Sequence, residues 1–245
     1  MISFAAEQRF IVTGASSGIG EGVALLLNEL GASVIAIARR QDRLEALKAR
    51  AANPENMHIE QKDLAEDIAS LPAYVKQLKD KYGKFQGMAY CAGIGEIQPL
   101  RSLEENKLRS IFEVNYFAPV FMAKGFADKR NNAGPGSSIV VIASSSGVRN
   151  DPGMTAYAGS KGAVIASMRS IARELAPAHI RVNCVSPTVI ETPMVDDVTR
   201  QFAEGKYPMG LGEVADVANM IVYLLSKQAK WITAQNYILD CGGVM

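Results

Sequence analysis

Two kinds of segment alternate along this chain, and the alternation constrains its fold more than any other feature. Short runs rich in Val and Ile are followed by longer segments whose apolar residues recur at helical spacing. Alternation of this kind is typical of a parallel sheet with crossover helices. It predicts an α/β fold, a doubly wound parallel sheet of about seven strands with helices on both faces. The strands are expected near residues 9–13, 33–38, 57–61, 86–91, 138–143, 180–186 and 235–239.

The longer helices are expected near residues 103–130, 155–177 and 213–226. Strand-like runs extend from residue 9 to residue 239 without a shift in composition or a low-complexity linker. A cut anywhere between them would expose an edge of the sheet. We therefore expect residues 1–245 to form a single domain.

The charges and cysteines of the chain argue against several kinds of partner. The 245 residues include 26 basic and 25 acidic side chains, a balance that gives no electrostatic footprint for nucleic acid or an anionic membrane. The three cysteines are well separated and neither histidine has metal-ligand spacing, so we expect reduced thiols and no metal site. The first strand-like run begins at Arg9, too early for a cleavable signal, and no apolar run reaches the roughly 18 residues of a membrane helix. A soluble, cytoplasmic protein is expected.

A glycine-rich turn joins the first strand to the first helix. Residues 13–20 read Thr-Gly-Ala-Ser-Ser-Gly-Ile-Gly. Glycines here allow a tight turn and a close approach of the backbone to a pyrophosphate, whose charge meets free amides and the positive end of the helix. Such turns are common, but the position between a buried strand and a helix favours a Rossmann-type dinucleotide site. The expected cofactor-binding residues of the turn are Gly14, Ser16, Ser17, Gly18, Ile19 and Gly20.

Two arginines follow the second strand, where an NAD enzyme would carry an acid for the ribose hydroxyls. The chain reads Ala38-Arg39-Arg40, and the next carboxylate, Asp42, is interpreted as the N-cap of the following helix. A guanidinium can bind the 2′-phosphate of NADP through two parallel hydrogen bonds. We therefore expect NADP(H) to be preferred over NAD(H), with Arg39 and Arg40 at that phosphate. The alternative is a pair of solvated arginines at a strand end.

Tyr157 and Lys161 are four residues apart at the start of a helix, so their side chains share one face. The same face continues through Val164, Ile165 and Met168, which puts the lysine on the side that packs against the sheet. A lysine there is costly without a partner or a function. A tyrosine, with a pKa of about 10, needs a neighbouring cation to serve as an acid or base near neutrality. An ordinary tyrosine beside a snorkelling lysine is the alternative.

Two further polar positions accompany this pair. Ser144 ends the run of residues 139–143 at the carboxyl end of a strand, where ligands of open α/β sheets bind. Ser145 and Ser146 follow directly, and spacing alone does not choose among the three serines. Asn115 lies on the apolar side of its helix, where a buried amide must find partners. A locally satisfied core amide is the alternative for Asn115.

Together these residues resemble the short-chain dehydrogenase/reductase family, in the form closest to bacterial 3-oxoacyl-acyl-carrier-protein reductases. The resemblance covers nearly the whole chain. Its motifs are the turn at residues 13–20, Asn115, the interval of thirteen residues from Ser144 to Tyr157, and Tyr157-Ala158-Gly159-Ser160-Lys161. Pro187, Thr192 and Asp240-Cys241-Gly242-Gly243 also resemble the family's nicotinamide-side turn and C-terminal signature.

The resemblance implies a catalytic set of four residues. By it, Tyr157 is the general acid in carbonyl reduction, and the family spacing selects Ser144 to polarise the substrate oxygen. Lys161 would hold the nicotinamide ribose and lower the pKa of the tyrosine, and Asn115 would bind a water that links Lys161 to a proton relay. Tyr157 and Lys161 thus also count as cofactor contacts. Further implied contacts are Asp63 and Leu64 at the adenine, Ala92 and Gly93 at the adenosine ribose, and Pro187, Ile190 and Thr192 on the nicotinamide side.

The chain departs from the family pattern at several positions. Tyr90-Cys91 replaces paired asparagines, so the amide contacts that brace the central sheet in the family are expected to be missing. Thr188 and Ala234 replace glycines, which puts the usual loop geometry in question. Ala178 stands where acyl-carrier reductases use a basic residue to dock their carrier, which weakens the case for a carrier-protein substrate.

The segment from about residue 188 to residue 210 leaves the carboxyl edge of the sheet and is expected to select the substrate. It favours an apolar or neutral carbonyl or alcohol through Val189, Met194, Val195, Phe202, Tyr207 and Met209. A 3-oxoacyl thioester, a keto-sugar, and a small ketone or hydroxysteroid stay open. The second functional class is a dinucleotide-sensing protein without turnover, which would be expected to have lost Tyr157 or Lys161.

The helix near residues 213–226 has more apolar residues than one buried stripe needs. Such a helix needs cover on a second side. We expect homo-oligomerisation to supply it, as a tetramer, which is common in the family, or as a dimer.

Overall fold

Seven parallel strands form one sheet in the computed structural model, which describes residues 1–149, 151–192, 195, 200, 201, 203 and 205–243. Their order across the sheet is β3-β2-β1-β4-β5-β6-β7. The bounds are β1 Arg9–Thr13, β2 Ser33–Ala38, β3 Met57–Gln61, β4 Gly87–Tyr90, β5 Ser138–Ile142, β6 Arg181–Pro187 and β7 Asn236–Leu239. The predicted strands are confirmed to within one residue at each end, and so is the doubly wound parallel sheet.

Burial explains why these segments are strands. Every residue of β2, β5 and β6 is buried, because helices cover both faces of a parallel sheet and leave no room for alternating polar residues. The edge strands β3 and β7 are mostly only partly buried, and their sequences are correspondingly more polar or mixed. The continuous Val and Ile runs of the central strands therefore follow from their position in the sheet.

The helices have the bounds α1 Gly18–Glu29, α2 Gln41–Ala49, α3 Leu71–Tyr82, α4 Glu105–Phe112, α5 Ala118–Ala127, α6 Thr155–Leu175 and α7 Val214–Leu225. The helix predicted over residues 103–130 is not continuous, since a π-helical turn at Glu113–Phe117 separates α4 from α5. Pro119 follows this turn and cannot donate a backbone hydrogen bond, which is a local reason for the break. The interpretation of Asp42 as an N-cap is wrong: Arg40 holds that position, and Asp42 lies in the first turn, where its charge favours the positive end of α2.

The helices divide between the two faces of the sheet. One apolar core contains Val12 of β1 together with residues of α1, α2 and α7. The other contains Ile11 of the same strand with residues of α3, α5 and α6. Along α6, the face that carries Lys161 continues through buried Val164 and Met168, as the sequence pattern predicts. Helices therefore lie on both faces of the sheet.

The order of the strands creates a crevice at one edge. Thr13, at the end of β1, is in register with Ile37 of β2 on one side and with Tyr90 of β4 on the other. The chain winds away from β1 in opposite directions along the sheet, so the connections after β1 and after β4 diverge. Ligands of open α/β sheets bind in the crevice at such a switch point.

Candidate active site

The glycine-rich turn at residues 13–20 packs tightly against the neighbouring strand end. Gly14 has φ of 66°, and a Cβ on it would lie 2.8 Å from the backbone N of Ala92. A Cβ on Gly20 would overlap the carbonyl oxygen of Gly14. Only glycine fits both positions. Ser17 is the N-cap of α1 but makes no side-chain capping bond, so its hydroxyl does not occupy the amides that open the helix.

Arg40 lies directly at this turn. Its Nη2 donates hydrogen bonds to Ser16 Oγ at 2.9 Å and Ser17 Oγ at 3.0 Å. Arg39 points the other way, with Nη1 3.9 Å from Asp63 Oδ2. The structure therefore brings both arginines and Asp63 to one rim of the crevice, with Arg40 next to the turn.

The ends of β1 and β4 are joined through a hydroxyl. Thr13 Oγ1 accepts hydrogen bonds from the backbone N–H groups of Cys91 at 3.1 Å and Ala92 at 3.2 Å. Tyr90-Cys91 provides no asparagine amides, as the sequence indicates, but the junction is still braced, because Thr13 accepts these two backbone hydrogen bonds. The phenol of Tyr90 supplies another bracing contact, since it donates to the carbonyl of Val114 at 2.8 Å.

Ser144 and Tyr157 meet at the carboxyl edge of the sheet. Ser144 is the N-cap of a short 3-10 turn, and its Oγ accepts a hydrogen bond from the backbone N–H of Ser146 at 3.1 Å. The side chain of Ser144 lies near enough to the phenol of Tyr157 to act on its pKa. Of the three adjacent serines, Ser144 is therefore the one whose side chain interacts with Tyr157.

Lys161 is buried below Tyr157, with 3% of its surface exposed. Its Nζ donates to the carbonyl of Ile142 at 2.9 Å and lies 5.7 Å from the centre of the Tyr157 ring. Burial lowers the pKa of Lys161 to about 8, although the thiols of Cys184 and Cys91 act in the opposite direction. Within the described residues, Lys161 has no carboxylate partner in the ion pairs of the structure.

The pKa of Tyr157 differs from the sequence expectation. Burial raises this pKa, and the side chain of Ser144 opposes the rise. The Lys161 ammonium donates to the Ile142 carbonyl, so burial is the main influence on the phenol. Tyr157 is therefore a protonated phenol at neutral pH, which is the form that can donate a proton.

Asn115 lies in the π-helical turn and has 1% of its surface exposed. Its Oδ1 accepts from the N–H of Ile94 at 3.0 Å, and its Nδ2 donates to the carbonyl of Ile94 at 2.9 Å and to Ser160 Oγ at 3.0 Å. A Cβ on Gly93 would come within 3.3 Å of Asn115 Oδ1 and 3.4 Å of Lys161 Nζ. The structure thus brings Asn115, Gly93 and Lys161 together, and both N–H groups of the Asn115 amide have protein partners.

The remaining predicted cofactor contacts also lie at this edge. Leu64 is buried, Pro187 ends β6, and Ile190 is buried and forms an isolated bridge with Gly212. A Cβ on Gly18 would lie 3.2 Å from Thr192 Cγ2, which places the Thr192 side chain against the glycine-rich turn. The segment that follows β6 therefore returns to the crevice.

Part of the predicted substrate segment, residues 188–210, can be located. Tyr207 has a side-chain hydrogen bond with Thr188, and Met209 is largely exposed. Met194 and Phe202 lie outside the described residues. The expected role of the segment stays a prediction.

Sequence reasoning missed the loop after β4. A Cβ on Gly95 would lie 3.2 Å from two ring atoms of Tyr157, so this loop covers the tyrosine. Ile97 follows with 68% of its surface exposed, and its Cγ2 lies 2.9 Å from the Cβ position of Gly153. Only the shared edge of the sheet could have suggested this proximity, because no motif marks these positions.

The part of the chain that the structure describes contains no group of three or more His, Cys, Asp or Glu side chains able to hold a metal ion. The cysteines Cys91, Cys184 and Cys241 are free. Among the described helices, none is long and apolar enough to cross a membrane.

A Rossmann-like sheet with this turn and this polar group at its carboxyl edge is the architecture of a dinucleotide-dependent oxidoreductase. A family model described as enoyl-(acyl carrier protein) reductase matches residues 14–243. The chain belongs to the short-chain dehydrogenase/reductase family, whose members are oxidoreductases that act on alcohols and carbonyls.

Similar proteins differ in substrate and cofactor. A 3-oxoacyl-[acyl-carrier-protein] reductase of Thermotoga maritima is 32% identical over 96% of this chain and 97% of its own. An NAD-dependent glycerol dehydrogenase of Listeria innocua is 30% identical over 95% of this chain and 92% of its own. A short-chain dehydrogenase from Burkholderia cenocepacia, solved in complex with NADP, has a TM-score of 0.91 at 26% identity and covers 98% of each chain. Similarity alone therefore leaves the substrate and the nicotinamide cofactor open.

Proposed function

We propose that this protein is an NADP(H)-dependent oxidoreductase that reduces a carbonyl, or oxidises the matching secondary alcohol, with Tyr157 as general acid and base. The observation that carries the proposal is the meeting of Tyr157, Ser144 and Lys161 at the carboxyl edge of the sheet. All three lie at the crevice where the glycine-rich turn opens, so a bound dinucleotide and a substrate can share one space.

The residues present fit a dinucleotide. The turn at residues 13–20 leaves no room for a Cβ at Gly14 or Gly20, and the first amides of α1 lack a side-chain cap from Ser17. This combination suits a pyrophosphate. Gly14, Ser16, Ser17, Gly18, Ile19 and Gly20 would hold that group, Asp63, Leu64, Ala92 and Gly93 the adenosine, and Pro187, Ile190 and Thr192 the nicotinamide side.

The preference for NADP(H) rests on Arg40. Its guanidinium already bridges Ser16 and Ser17, so it can meet a 2′-phosphate at the rim of the turn, with Arg39 beside it. The carboxylate of Asp63 is paired with Arg39. The test is the ratio of kcat/KM for NADPH to kcat/KM for NADH. A value above about 10, or roughly 1.4 kcal/mol, is expected, and a ratio below one would remove NADP(H) from the proposal.

Each side chain has a distinct task in this mechanism. The bound cofactor supplies or accepts the hydride at its nicotinamide ring. Tyr157 donates its phenolic proton to the carbonyl oxygen during reduction and takes a proton back from the alcohol during oxidation. Ser144 donates a hydrogen bond to the same oxygen and orients it. Lys161 would hold the nicotinamide ribose, and Asn115 fixes the loop after β4 against the helix of Tyr157.

Apolar residues at the mouth of the site favour an apolar carbonyl substrate. Ile97 and Val148 are 68% and 55% exposed, Gly95 packs on the Tyr157 ring, and Ile97 meets the loop at Gly153. We therefore rank a 3-oxoacyl thioester or a small ketone or hydroxysteroid above a keto-sugar. Ala178 is exposed and uncharged, so a thioester on an acyl carrier protein is not ranked above one on a small thiol. NADPH oxidation over a panel of these carbonyls distinguishes the candidates.

Replacing Tyr157 with Phe tests the assigned acid. The ring is kept and only the proton donor is lost, so kcat should fall by about 10²–10⁴-fold, while the Kd for NADPH should stay within about twofold. Fluorescence titration with NADPH and steady-state kinetics measure the two quantities.

Tyr82→Phe is the matched control, because Tyr82 donates to Glu60 at 2.6 Å at the far edge of the sheet. This variant should keep its kcat. Full turnover in Tyr157→Phe would show that another group moves the proton.

The second candidate is a dinucleotide-sensing protein without turnover. Lys161 argues against it, since a buried lysine that has no carboxylate partner among the described residues is expensive to keep unless it serves a reaction. Tight NADPH binding with no oxidation by any member of the carbonyl panel would favour the sensor.

The proposal includes a single domain over residues 1–245, a cytoplasmic location and a homo-oligomer, tetrameric or dimeric. One sheet takes strands from both ends of the chain, and the described cysteines are free. Met220 and Tyr223 of α7 and Ile238 of β7 keep part of their apolar surface exposed, and a second subunit would cover it. Light scattering coupled to size-exclusion chromatography gives the mass, and a stable monomer would count against the oligomer.

A further inference from the structure

Tyr90 differs from its expected counterpart in a way that changes its chemistry. The family resemblance places an asparagine here, but this chain has a phenol, 1% exposed, at the end of β4. Burial raises the pKa of Tyr90, so the hydroxyl stays protonated and can act only as a neutral donor or acceptor. It donates to the carbonyl of Val114 at 2.8 Å.

The carbonyl of Val114 does not accept a helical backbone hydrogen bond, and the local structure explains why. In a helix, this carbonyl would accept from the N–H four or five residues later. The N–H of Ala118 is instead directed at the carbonyl of Glu113, and Pro119 has no N–H. Neither residue that could close a helical turn onto Val114 does so. A buried carbonyl without a partner is costly, and the phenol of Tyr90 supplies the missing donor.

This hydrogen bond is made at the residue directly before Asn115. The amide of Asn115 is hydrogen-bonded to the backbone N–H and carbonyl of Ile94 and to the hydroxyl of Ser160. Ser160 in turn donates to the carbonyl of Tyr157 at 2.7 Å. The backbone that Tyr90 fixes is therefore the backbone that orients an amide between the loop after β4 and the helix of Tyr157.

We propose that Tyr90 is a positioning residue. Its hydroxyl donates the hydrogen bond that the Val114 carbonyl lacks within the π-helical turn, and this fixes the backbone so that the Asn115 amide stays hydrogen-bonded to Ile94 and Ser160. The backbone of Tyr90 pairs with Thr13 at the start of the glycine-rich turn, but its hydroxyl is directed at Val114 and not at a residue assigned to the cofactor or the substrate. Any effect of that hydroxyl on the reaction therefore runs through Asn115. The kinetic part of this inference rests on the proposed function, whereas the structural part does not.

Tyr90→Phe in the full chain is the first test, because it keeps the ring in the core and removes the donor. We expect kcat for NADPH-dependent reduction to fall about tenfold, with KM for NADPH changed less than about twofold. We also expect faster hydrogen exchange at the Ile94 amide, which donates to Asn115 Oδ1. Tyr82→Phe, which also removes a bonded hydroxyl, should change neither quantity.

Two double variants test the route. Pro119→Ala restores an N–H five residues after Val114, so Tyr90→Phe/Pro119→Ala should recover part of the kcat and of the Ile94 protection. Tyr90→Phe added to Asn115→Ala should lower kcat by less than about twofold beyond Asn115→Ala alone, since both changes break one connection. If Tyr90→Phe does not fold, recovery of a folded protein by Pro119→Ala tests the same hydrogen bond.

Three results would overturn the inference. Unchanged Ile94 exchange in Tyr90→Phe would show that the phenol does not hold the amide. A fall in kcat that adds in full to that of Asn115→Ala would mean that Tyr90 acts by another route. A Tyr90→Phe variant that gains nothing from Pro119→Ala would show that the open Val114 carbonyl is not the cause. Because the exchange experiment needs no substrate, a protein without carbonyl reductase activity would fail the proposed function and leave this test intact.

Discussion

Lys161→Met should stabilise the protein while it abolishes turnover. Lys161 is buried and its Nζ has one hydrogen-bond partner in the described structure, the carbonyl of Ile142. Its pKa is lowered from 10.5 to about 8 by burial, and one pKa unit corresponds to about 1.4 kcal/mol. The folded state therefore opposes the charged form by roughly 3 kcal/mol near pH 7. A methionine of similar length carries no charge to desolvate.

The sign of the pH dependence follows from the direction of the shift. The folded-state pKa lies below the unfolded value, so between about pH 8 and pH 10.5 the unfolded chain binds more protons at Lys161 than the folded protein. The contribution of Lys161 to stability is therefore most unfavourable below pH 8 and is relieved as pH rises towards 10.5. The gain from Lys161→Met should be about 2–3 kcal/mol at pH 7 and about 1 kcal/mol smaller at pH 9.

Urea denaturation at pH 7 and pH 9, at one protein concentration, measures this difference. Lys124→Met is the matched control, because Lys124 is exposed on α5, and its effect should be the same at both pH values. The argument that Lys161 is retained at a cost in stability would be refuted by either of two results. One is a Lys161→Met protein less stable than the parent at pH 7, and the other is a gain in the free energy of unfolding that does not depend on pH.

Two further outcomes are expected. Arg40→Ala should lower kcat/KM for NADPH by about 10–100-fold and leave kcat/KM for NADH within about threefold, since only NADPH carries the 2′-phosphate that the guanidinium would bind. Arg43→Ala, at an exposed arginine of α2, should change neither value, and an equal loss with both cofactors would contradict the assignment. Ala234 has φ of 60° where the family resemblance expects glycine, so Ala234→Gly should raise the free energy of unfolding by about 1 kcal/mol in urea. A lower stability for Ala234→Gly would show that the loop is not strained.

Loss of the family's asparagines before Ala92 illustrates how a departure can be compensated. From the sequence, Tyr90-Cys91 indicated missing contacts at the centre of the sheet. The hydroxyl of Thr13 instead accepts from two backbone amides, and the phenol of Tyr90 reaches a helix 24 residues away in sequence. These replacement contacts join groups from three separate elements, so no local sequence pattern could predict them.

The sequence by itself determined what depends on periodicity and on local turn chemistry. Seven strands, the order of strands and helices, and the glycine-rich turn follow from spacing over a few residues, because a buried strand and an amphipathic helix each have a fixed repeat. The shared face of Tyr157 and Lys161 is of the same kind, since four residues make about one turn of a helix. The family resemblance added the roles of these residues.

Only the tertiary structure decided which groups meet. It places Ser144, of the three adjacent serines, next to Tyr157. It joins the backbone N–H and carbonyl of Ile94 to the Asn115 amide, and it interrupts the helix predicted over residues 103–130 with a π-helical turn. It also set the direction of the pKa shift of Tyr157, which burial raises. These features join residues far apart in sequence, and their energies depend on distance and desolvation, which are set when the helices pack on the sheet.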